Sequence, residues 1–145
     1  MKSIIIFCML LVSVSFSETL EELIIMAKSA PTQEAAAEKL LALSLEGEPR
    51  AMTALGRIYL YGKGVPQNCK KGTYFLLNAV SKSKLNDPDP EAMKELGLMF
   101  RRGLCVDKSE EKYEKYFKKY VKMKEDLEAK NALNSTLKPF KGLNP

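Results

Sequence analysis

The sequence predicts an all-α protein built from antiparallel helix hairpins that stack side by side. Three observations support this fold class. Apolar residues recur at spacings of three and four along most of the 145-residue chain. No stretch alternates apolar and polar residues in the way that a half-buried strand does. One helix–turn–helix segment also occurs twice, at an offset of 41 residues, which indicates a repeat architecture.

The first 17 residues have the layout of a cleavable secretory signal. A basic Lys2 is followed by an apolar run over residues 4–14 and by small serines just before Glu18. A membrane anchor is the alternative, but 11 residues in a helix span only about 16 Å, roughly half of a bilayer core. We therefore predict a signal peptide over residues 1–17, cleavage after Ser17, and a secreted or periplasmic mature protein without a transmembrane span.

The sequence predicts that the first two helices of the mature chain form a degenerate hairpin. Glu18–Ala30 has apolar residues at helical spacing, and Pro31 ends it because the residue before a proline avoids the helical region. Gln33–Glu46 is rich in Ala, Leu and Glu, which favour helix, and Thr32 is its predicted N-cap. Gly47 ends this second helix.

The next two hairpins are more regular. Helices are predicted over Arg50–Tyr61 and Lys70–Val80, each with one apolar face. Residues 81–90 are polar and contain two prolines, so they predict a loop. Helices Glu91–Arg102 and Ser109–Lys130 follow, with Asp107 and Glu110 at capping-box spacing before the last one. The predicted domain is residues 18–130, and residues 131–145 predict a flexible C-terminal tail because they have little to bury.

Aromatic residues lie among lysines in the last helix, and this combination also occurs in nucleic-acid binding, where rings stack on bases. Their spacing of three and four instead places them on one helix face, which the last helix of a stack must bury against its neighbour. We therefore predict burial of the stripe and no nucleic-acid partner. The lysine excess of residues 108–145 predicts a solvated face. The stripe consists of Tyr113, Tyr116, Phe117, Tyr120 and Met123.

The two copies of the repeated segment share residues with clear structural roles. A glycine inside a helix costs about 1 kcal/mol relative to alanine, so it is usually kept where a neighbouring helix approaches closely. Gly56 and Gly97 are predicted to have this role. Gly62, Gly64 and Gly103 suit the left-handed backbone of a tight turn, which the following valine plugs, and Cys105 replaces the second turn glycine in the later copy. The matched pairs are Leu55 and Leu96, Gly56 and Gly97, Tyr59 and Phe100, Gly62 and Gly103, Val65 and Val106, and Phe75 and Tyr116.

This pattern of LG-x-x-Y, then G-x-G-V, then Lys-x-x-x-aromatic resembles the Sel-one-like repeat family, a relative of the tetratricopeptide repeats. The resemblance implies a short right-handed α-solenoid of two clear repeats preceded by a degenerate helix pair. The first helix of each hairpin, helix A, would line a concave face. The resemblance also implies binding to another protein, as an adaptor, an effector or an inhibitor of a toxin.

The residues that most enzymes need are scarce in this chain. It contains no histidine, which removes the commonest general base and zinc ligand. Residues 62–64, GKG, lack the Lys-Ser/Thr of a phosphate-binding loop. We predict a non-catalytic protein with no cofactor and no metal. The alternative is an enzyme of the cysteine-rich repeat type acting on β-lactam or peptidoglycan-related substrates, but those relatives carry a cysteine pair within every repeat.

Two cysteines remain after removal of the signal, Cys69 and Cys105. The repeat alignment places both on the same loop edge of consecutive repeats, and export would provide an oxidising compartment. We predict a disulfide between them. The alternative is two free or intermolecular thiols.

The predicted partner-binding residues are those that point out of the buried stripe of each helix A. In Arg50–Tyr61 they are Thr53, Arg57, Leu60 and Tyr61, and in Glu91–Arg102 they are Lys94, Leu98, Arg101 and Arg102. Arg and Tyr are enriched among interface hot spots, and this set favours an acidic or mixed protein segment. Ordinary solvated side chains are the alternative. The site residues predicted to contact the partner are Arg57, Tyr61, Lys94, Arg101 and Arg102.

Overall fold

The computed structural model describes residues 19–29, 33–81 and 87–137, and these ranges contain helices and no strand. The predicted all-α fold class is therefore confirmed. The predicted signal peptide and the predicted N-cap Thr32 lie outside the described residues. The helices are α1 (Leu20–Met26), α2 (Gln33–Leu45), α3 (Pro49–Tyr61), α4 (Cys69–Ala79), α5 (Pro90–Arg102) and α6 (Glu110–Leu137).

Helices α3 and α5 begin with the same local structure. Each has a proline in its first turn, where the missing N–H costs nothing. The carboxylate of Glu48 accepts a hydrogen bond from the backbone N–H of Arg50, and that of Asp89 accepts one from Glu91, both at 3.1 Å. Because the two caps are 41 residues apart, the repeat offset applies to the helix starts as well as to the turns.

Helices α4 and α6 also begin alike, and here one sequence prediction is corrected. The Asn68 side chain accepts from the Lys71 N–H at 2.9 Å, and the Ser109 hydroxyl accepts from the Lys112 N–H at 3.2 Å. The last helix is thus capped by Ser109, not by the predicted capping box starting at Asp107. The reason is the repeat register, since Ser109 lies 41 residues after Asn68.

Two helix ends differ from prediction by more than one residue. Helix α1 ends at Met26 instead of Ala30 because the N–H groups of Lys28 and Ser29 bond three residues back, which tightens the chain into turns. Helix α6 runs to Leu137 instead of ending at Lys130, so residues 131–137 are helical rather than part of a flexible tail. Residues 131–138 contain no proline or glycine, and the first helix-breaking residue is Pro139. Residues 138–145 lie outside the described ranges.

The closest helix contact within the first repeat depends on two glycines. A Cβ at Gly56 would lie 2.7 Å from the Leu76 side chain, and a Cβ at Gly72 would lie 2.6 Å from the Leu60 side chain. Helices α3 and α4 can therefore approach this closely only with hydrogen at both positions. In the second repeat, a Cβ at Gly97 would lie 3.2 Å from Tyr116, a looser fit.

The turns between paired helices have the predicted backbone. Gly62 and Gly103 end α3 and α5 at φ values of 62° and 65°, and Gly64 has a φ of 73°. Cys105 has a φ of 64°, the left-handed conformation that a non-glycine residue rarely adopts. In both repeats the valine that follows packs against a hydrophobic cluster, as predicted.

Two hydrophobic clusters form the core on either side of α3. The first joins α1, α2 and α3 and includes the fully buried Leu40 and Leu55. The second joins the α3–α4 hairpin to α5 through Leu60, Leu76 and Leu96. Helix α3 contacts α1 on one side and α5 on the other. The three hairpins therefore stack in chain order, with α1, α3 and α5 as their A helices, which is the arrangement of an α-solenoid. Within the described ranges, no helix combines the length and the apolar character needed to cross a bilayer.

Candidate functional site

A groove of about 360 Å³ lies where the three A helices meet. We call its apolar lining residues, which come from the first and second A helices, the floor. We call its polar and charged lining residues, which come from α3, α5 and the segments that follow α1 and α3, the walls. Its position agrees with the concave face predicted for the A helices. The lining residues are Ile24, Ala27, Lys28, Ala54, Arg57, Ile58, Tyr61, Lys63, Glu95 and Arg102.

A buried carboxylate, Glu95, lies in the wall formed by α5. It is 7% exposed and accepts hydrogen bonds from Arg57 Nε at 2.8 Å and from the Tyr61 hydroxyl at 3.1 Å. Arg57 also approaches Glu91, with an Nη2–Oε2 distance of 3.7 Å. A buried carboxylate is costly unless it is paired and hydrogen-bonded. Arg57 and Tyr61 supply that compensation, and they thereby connect the first repeat to the second.

Tyr61 is the junction of this network. Its hydroxyl donates to Glu95 and accepts from Arg102 Nη1 at 2.8 Å. Burial, followed by the nearby negative charge of Glu95, raises the pKa of Tyr61 above its ordinary value. The phenol therefore stays protonated at neutral pH and keeps donating to Glu95. Lys63 lies beside the same ring, with its Nζ 5.9 Å from the ring centroid.

Three predicted partner-binding residues, Arg57, Tyr61 and Arg102, thus lie together in the groove. The other two lie elsewhere, against α6. The Arg101 guanidinium is 4.8 Å from the centroid of the Tyr113 ring, and Lys94 Nζ is 5.5 Å from that of Tyr120. Positions 94 and 101 are two helical turns apart on one face of α5, and that face points toward α6. The half-buried Leu98 lies between them in sequence, outside the groove lining.

Two further residues that were predicted to point into the groove are buried instead. Thr53 is 3% exposed and donates its hydroxyl proton to the Pro49 carbonyl at 3.1 Å, and Leu60 is completely buried. The prediction for these two residues is wrong because α3 contacts α1, α2, α4 and α5. A helix surrounded in this way buries more than the single stripe assumed from its periodicity, so only a narrow strip of α3 remains open.

Sequence reasoning missed Glu95, although a signal was present. Glu95 lies between Met93 and Leu96, two apolar residues of α5 that are buried. An acidic residue in such a position is either a surface residue at the edge of the apolar stripe or one member of a buried ion pair. Its partner, Arg57, is 38 residues away in sequence, so the pairing becomes visible only in the folded chain.

The aromatic stripe of α6 is only partly buried. Tyr116 stacks on Phe100 with ring centroids 5.6 Å apart, but Phe117 remains 38% exposed. The first-repeat counterpart of Phe117 is Leu76, which is fully buried in the cluster that includes α5 residues. No described helix covers α6 in the same way, so the end of the stack keeps an open aromatic surface.

The predicted disulfide between Cys69 and Cys105 is present, with a Cα–Cα distance of 5.5 Å. It joins the first residue of α4 to the turn between α5 and α6, and so links consecutive repeats. Among the residues that the structure describes, no group of three His, Cys, Asp or Glu side chains could hold a metal ion.

The repeat register agrees with a comparison to known families. The family model described as Sel1 repeat matches residues 49–83 and 90–119. The two matches begin at the first residues of α3 and α5 and cover the α3–α4 hairpin and α5 with the start of α6. No curated protein matches the chain. The two matched stretches fold as consecutive stacked hairpins, so the chain contains two Sel1 repeats.

Proposed function

We propose that this protein is an exported, non-catalytic scaffold whose groove binds a segment of another protein. Sel1 repeats are generally protein–protein interaction modules. The observation that supports this use most directly is the groove on the A helices, which combines an apolar floor with polar and charged walls. Binding sites commonly have this composition, since apolar contacts supply affinity and a few polar groups supply orientation. An adaptor, an effector and an inhibitor of a toxin all fit this description.

The chemistry of the groove favours binding over catalysis. Its carboxylate, Glu95, is held by Arg57 and Tyr61, so it is committed to an ion pair and a hydrogen bond between repeats. The disulfide also distinguishes the chain from the cysteine-rich alternative, because it joins two repeats instead of the two helices of one repeat. No observation on residues 19–29, 33–81 or 87–137 favours an enzyme acting on β-lactams.

Site-specific cross-linking tests whether the groove is the binding face. We expect a photo-crosslinking amino acid at Lys28 or Lys63 to capture a protein in the cells that produce this chain, because both side chains are exposed and line the groove. The adduct should disappear when excess unlabelled wild-type protein competes for the partner. The measurement is the pattern of cross-linked bands after purification of the tagged chain.

The matched controls place the same amino acid at Lys115 or Lys122, two exposed lysines of α6 outside the groove. These positions should give no competed adduct. Adducts of equal yield from the α6 positions and the groove positions would contradict the proposed binding face.

Export is tested by the mass of the mature protein. We expect the protein recovered from outside the cytoplasm to begin at Glu18, because residues 1–17 have the order of basic, apolar and small residues that signal peptidases process. Intact-mass measurement together with N-terminal sequencing identifies the first residue. Protein that retains Met1 and fractionates with the cytoplasm would contradict export.

A further inference from the structure

We propose that the groove selects carboxylate groups, and that its ligand is an extended acidic segment carrying an aliphatic side chain beside the acid. This inference rests on the proposed function, since it names the chemistry of the segment bound in the same groove. Three features of the lining support it: where its cations lie, how its one carboxylate is neutralised, and what forms its floor.

The cations gather at one end of the groove. Lys28 lies two residues beyond the end of α1, Lys63 lies two residues beyond the end of α3, and Arg102 is the last residue of α5. Lys63 and Arg102 both lie beside Tyr61, and Lys28 lines the same groove. All three are exposed, and none of them makes an ion pair with another described residue.

The groove's own carboxylate does not cancel this charge. Glu95 is paired with Arg57, the fourth cation of the lining, and its second oxygen is occupied by the Tyr61 hydroxyl. The lining therefore carries four cations and one carboxylate, and the three cations at the end of the groove remain available to a ligand. Oppositely charged ligands are attracted to such a concave surface because the low-dielectric walls concentrate the field.

The apolar floor of the groove determines which kind of side chain lies beside the carboxylate of the ligand. Ile24, Ala54 and Ile58 form an apolar surface next to the cationic end. A volume of about 360 Å³ accommodates a few side chains of an extended segment rather than a folded domain. A ligand that places a carboxylate at Lys63 and Arg102 can rest a neighbouring aliphatic side chain on this floor. A purely polar acidic segment would leave the floor without a partner.

Cations are also common at helix C-termini because they interact favourably with the helix dipole. If the three cations of the groove served only the helix dipoles, their removal would lower thermal stability and leave ligand binding unchanged. Binding and melting are therefore measured on the same variants.

The test uses three fluorescein-labelled peptides and fluorescence anisotropy. The first peptide alternates leucine and glutamate and has an amidated C terminus. The second replaces every glutamate by glutamine, and the third is this glutamine peptide with a free C-terminal carboxylate. We expect the glutamate peptide to bind the mature protein about tenfold more tightly than the amidated glutamine peptide in low salt, with a smaller difference in high salt. Preference for the third peptide alone would place a chain terminus in the groove instead of an acidic segment and would overturn the inference. The first peptide reports side-chain carboxylates, and the third reports a chain terminus.

The variant Lys63→Gln/Arg102→Gln should weaken binding of the preferred peptide about tenfold while the melting temperature changes little. The matched control Lys115→Gln/Lys122→Gln removes the same charge from α6, outside the groove, and should bind like the wild type. Equal affinity for all three peptides, or equal weakening by the two double variants, overturns the inference. The cross-linking from Lys28 or Lys63 uses the native partner, and each probe leaves two of the three cations in place. Competed adducts at those positions would therefore support the groove as a binding face even if the peptides showed no carboxylate preference.

Discussion

Replacing Cys69 and Cys105 by serine is expected to lower the free energy of unfolding by about 3–4 kcal/mol. The disulfide closes a loop with a sequence separation of 36, and its loss lets the unfolded chain explore conformations that the bond forbids. The bond also joins α4 to the turn of the next repeat, so its loss weakens the contact between repeats. Denaturant unfolding of the oxidised protein and of the serine variant measures the difference.

The backbone of Cys105 provides a matched variant. Its φ of 64° costs a non-glycine residue about 1–2 kcal/mol, which glycine avoids. The pair Cys69→Ser with Cys105→Gly should therefore be about 1 kcal/mol more stable than the pair with serine at both positions. Reduction of the wild type should give the same loss as the serine pair. A denaturation midpoint that reduction leaves unchanged would contradict a stabilising disulfide.

Replacing Leu76 by alanine is expected to cost about 2–5 kcal/mol of unfolding free energy. Leu76 is fully buried, and it contributes to the cluster that joins the first repeat to α5. Truncation removes apolar contacts and leaves a cavity where two repeats meet. The control is Leu77→Ala in the same helix, which should change stability by less than about 0.5 kcal/mol because Leu77 is 47% exposed. Denaturant unfolding followed by circular dichroism measures both variants.

Leu76 and Gly56 are also expected to be energetically coupled. On its own, Gly56→Ala places a Cβ 2.7 Å from the Leu76 side chain, and such overpacking costs about 1–3 kcal/mol. With alanine at position 76, the space is free, and the better helix propensity of alanine over glycine should make the same change neutral or stabilising. A double-mutant cycle measures the coupling. Strict additivity of the two substitutions would show that α3 and α4 do not approach as closely as the structure places them.

The groove depends on the same contacts that stabilise the core. Helix α3 carries the groove floor on one side and the α4 contact at Gly56 on another. Substitutions at Leu76 or Gly56 are therefore expected to disturb ligand binding through the position of α3, although neither residue lines the groove. Exposed residues such as Lys63 and Arg102 are the better choice for testing binding, because their replacement leaves the two clusters intact.

The sequence by itself determined the features that arise within one repeat. Helix periodicity predicted the six helices, and the glycine spacing predicted the left-handed turns at Gly62, Gly64 and Gly103. The offset of 41 residues placed Cys69 and Cys105 at one edge of neighbouring repeats and so predicted their bond. These predictions succeed because each depends on local backbone preferences or on the regular displacement from one repeat to the next.

Only the tertiary structure decided which face of each helix remains open. Periodicity assigns one buried stripe to a helix, but it does not tell how many neighbours surround that helix. Helix α3 has four, so Leu60 is buried, whereas Phe117 on α6 is partly open because no described helix covers it. Glu95 pairs with Arg57 of the neighbouring repeat, and Lys94 lies against Tyr120 of α6. Both contacts join residues that are far apart in sequence. A surface shared by several repeats depends on contacts distant in sequence, and these contacts exist only once the hairpins have stacked.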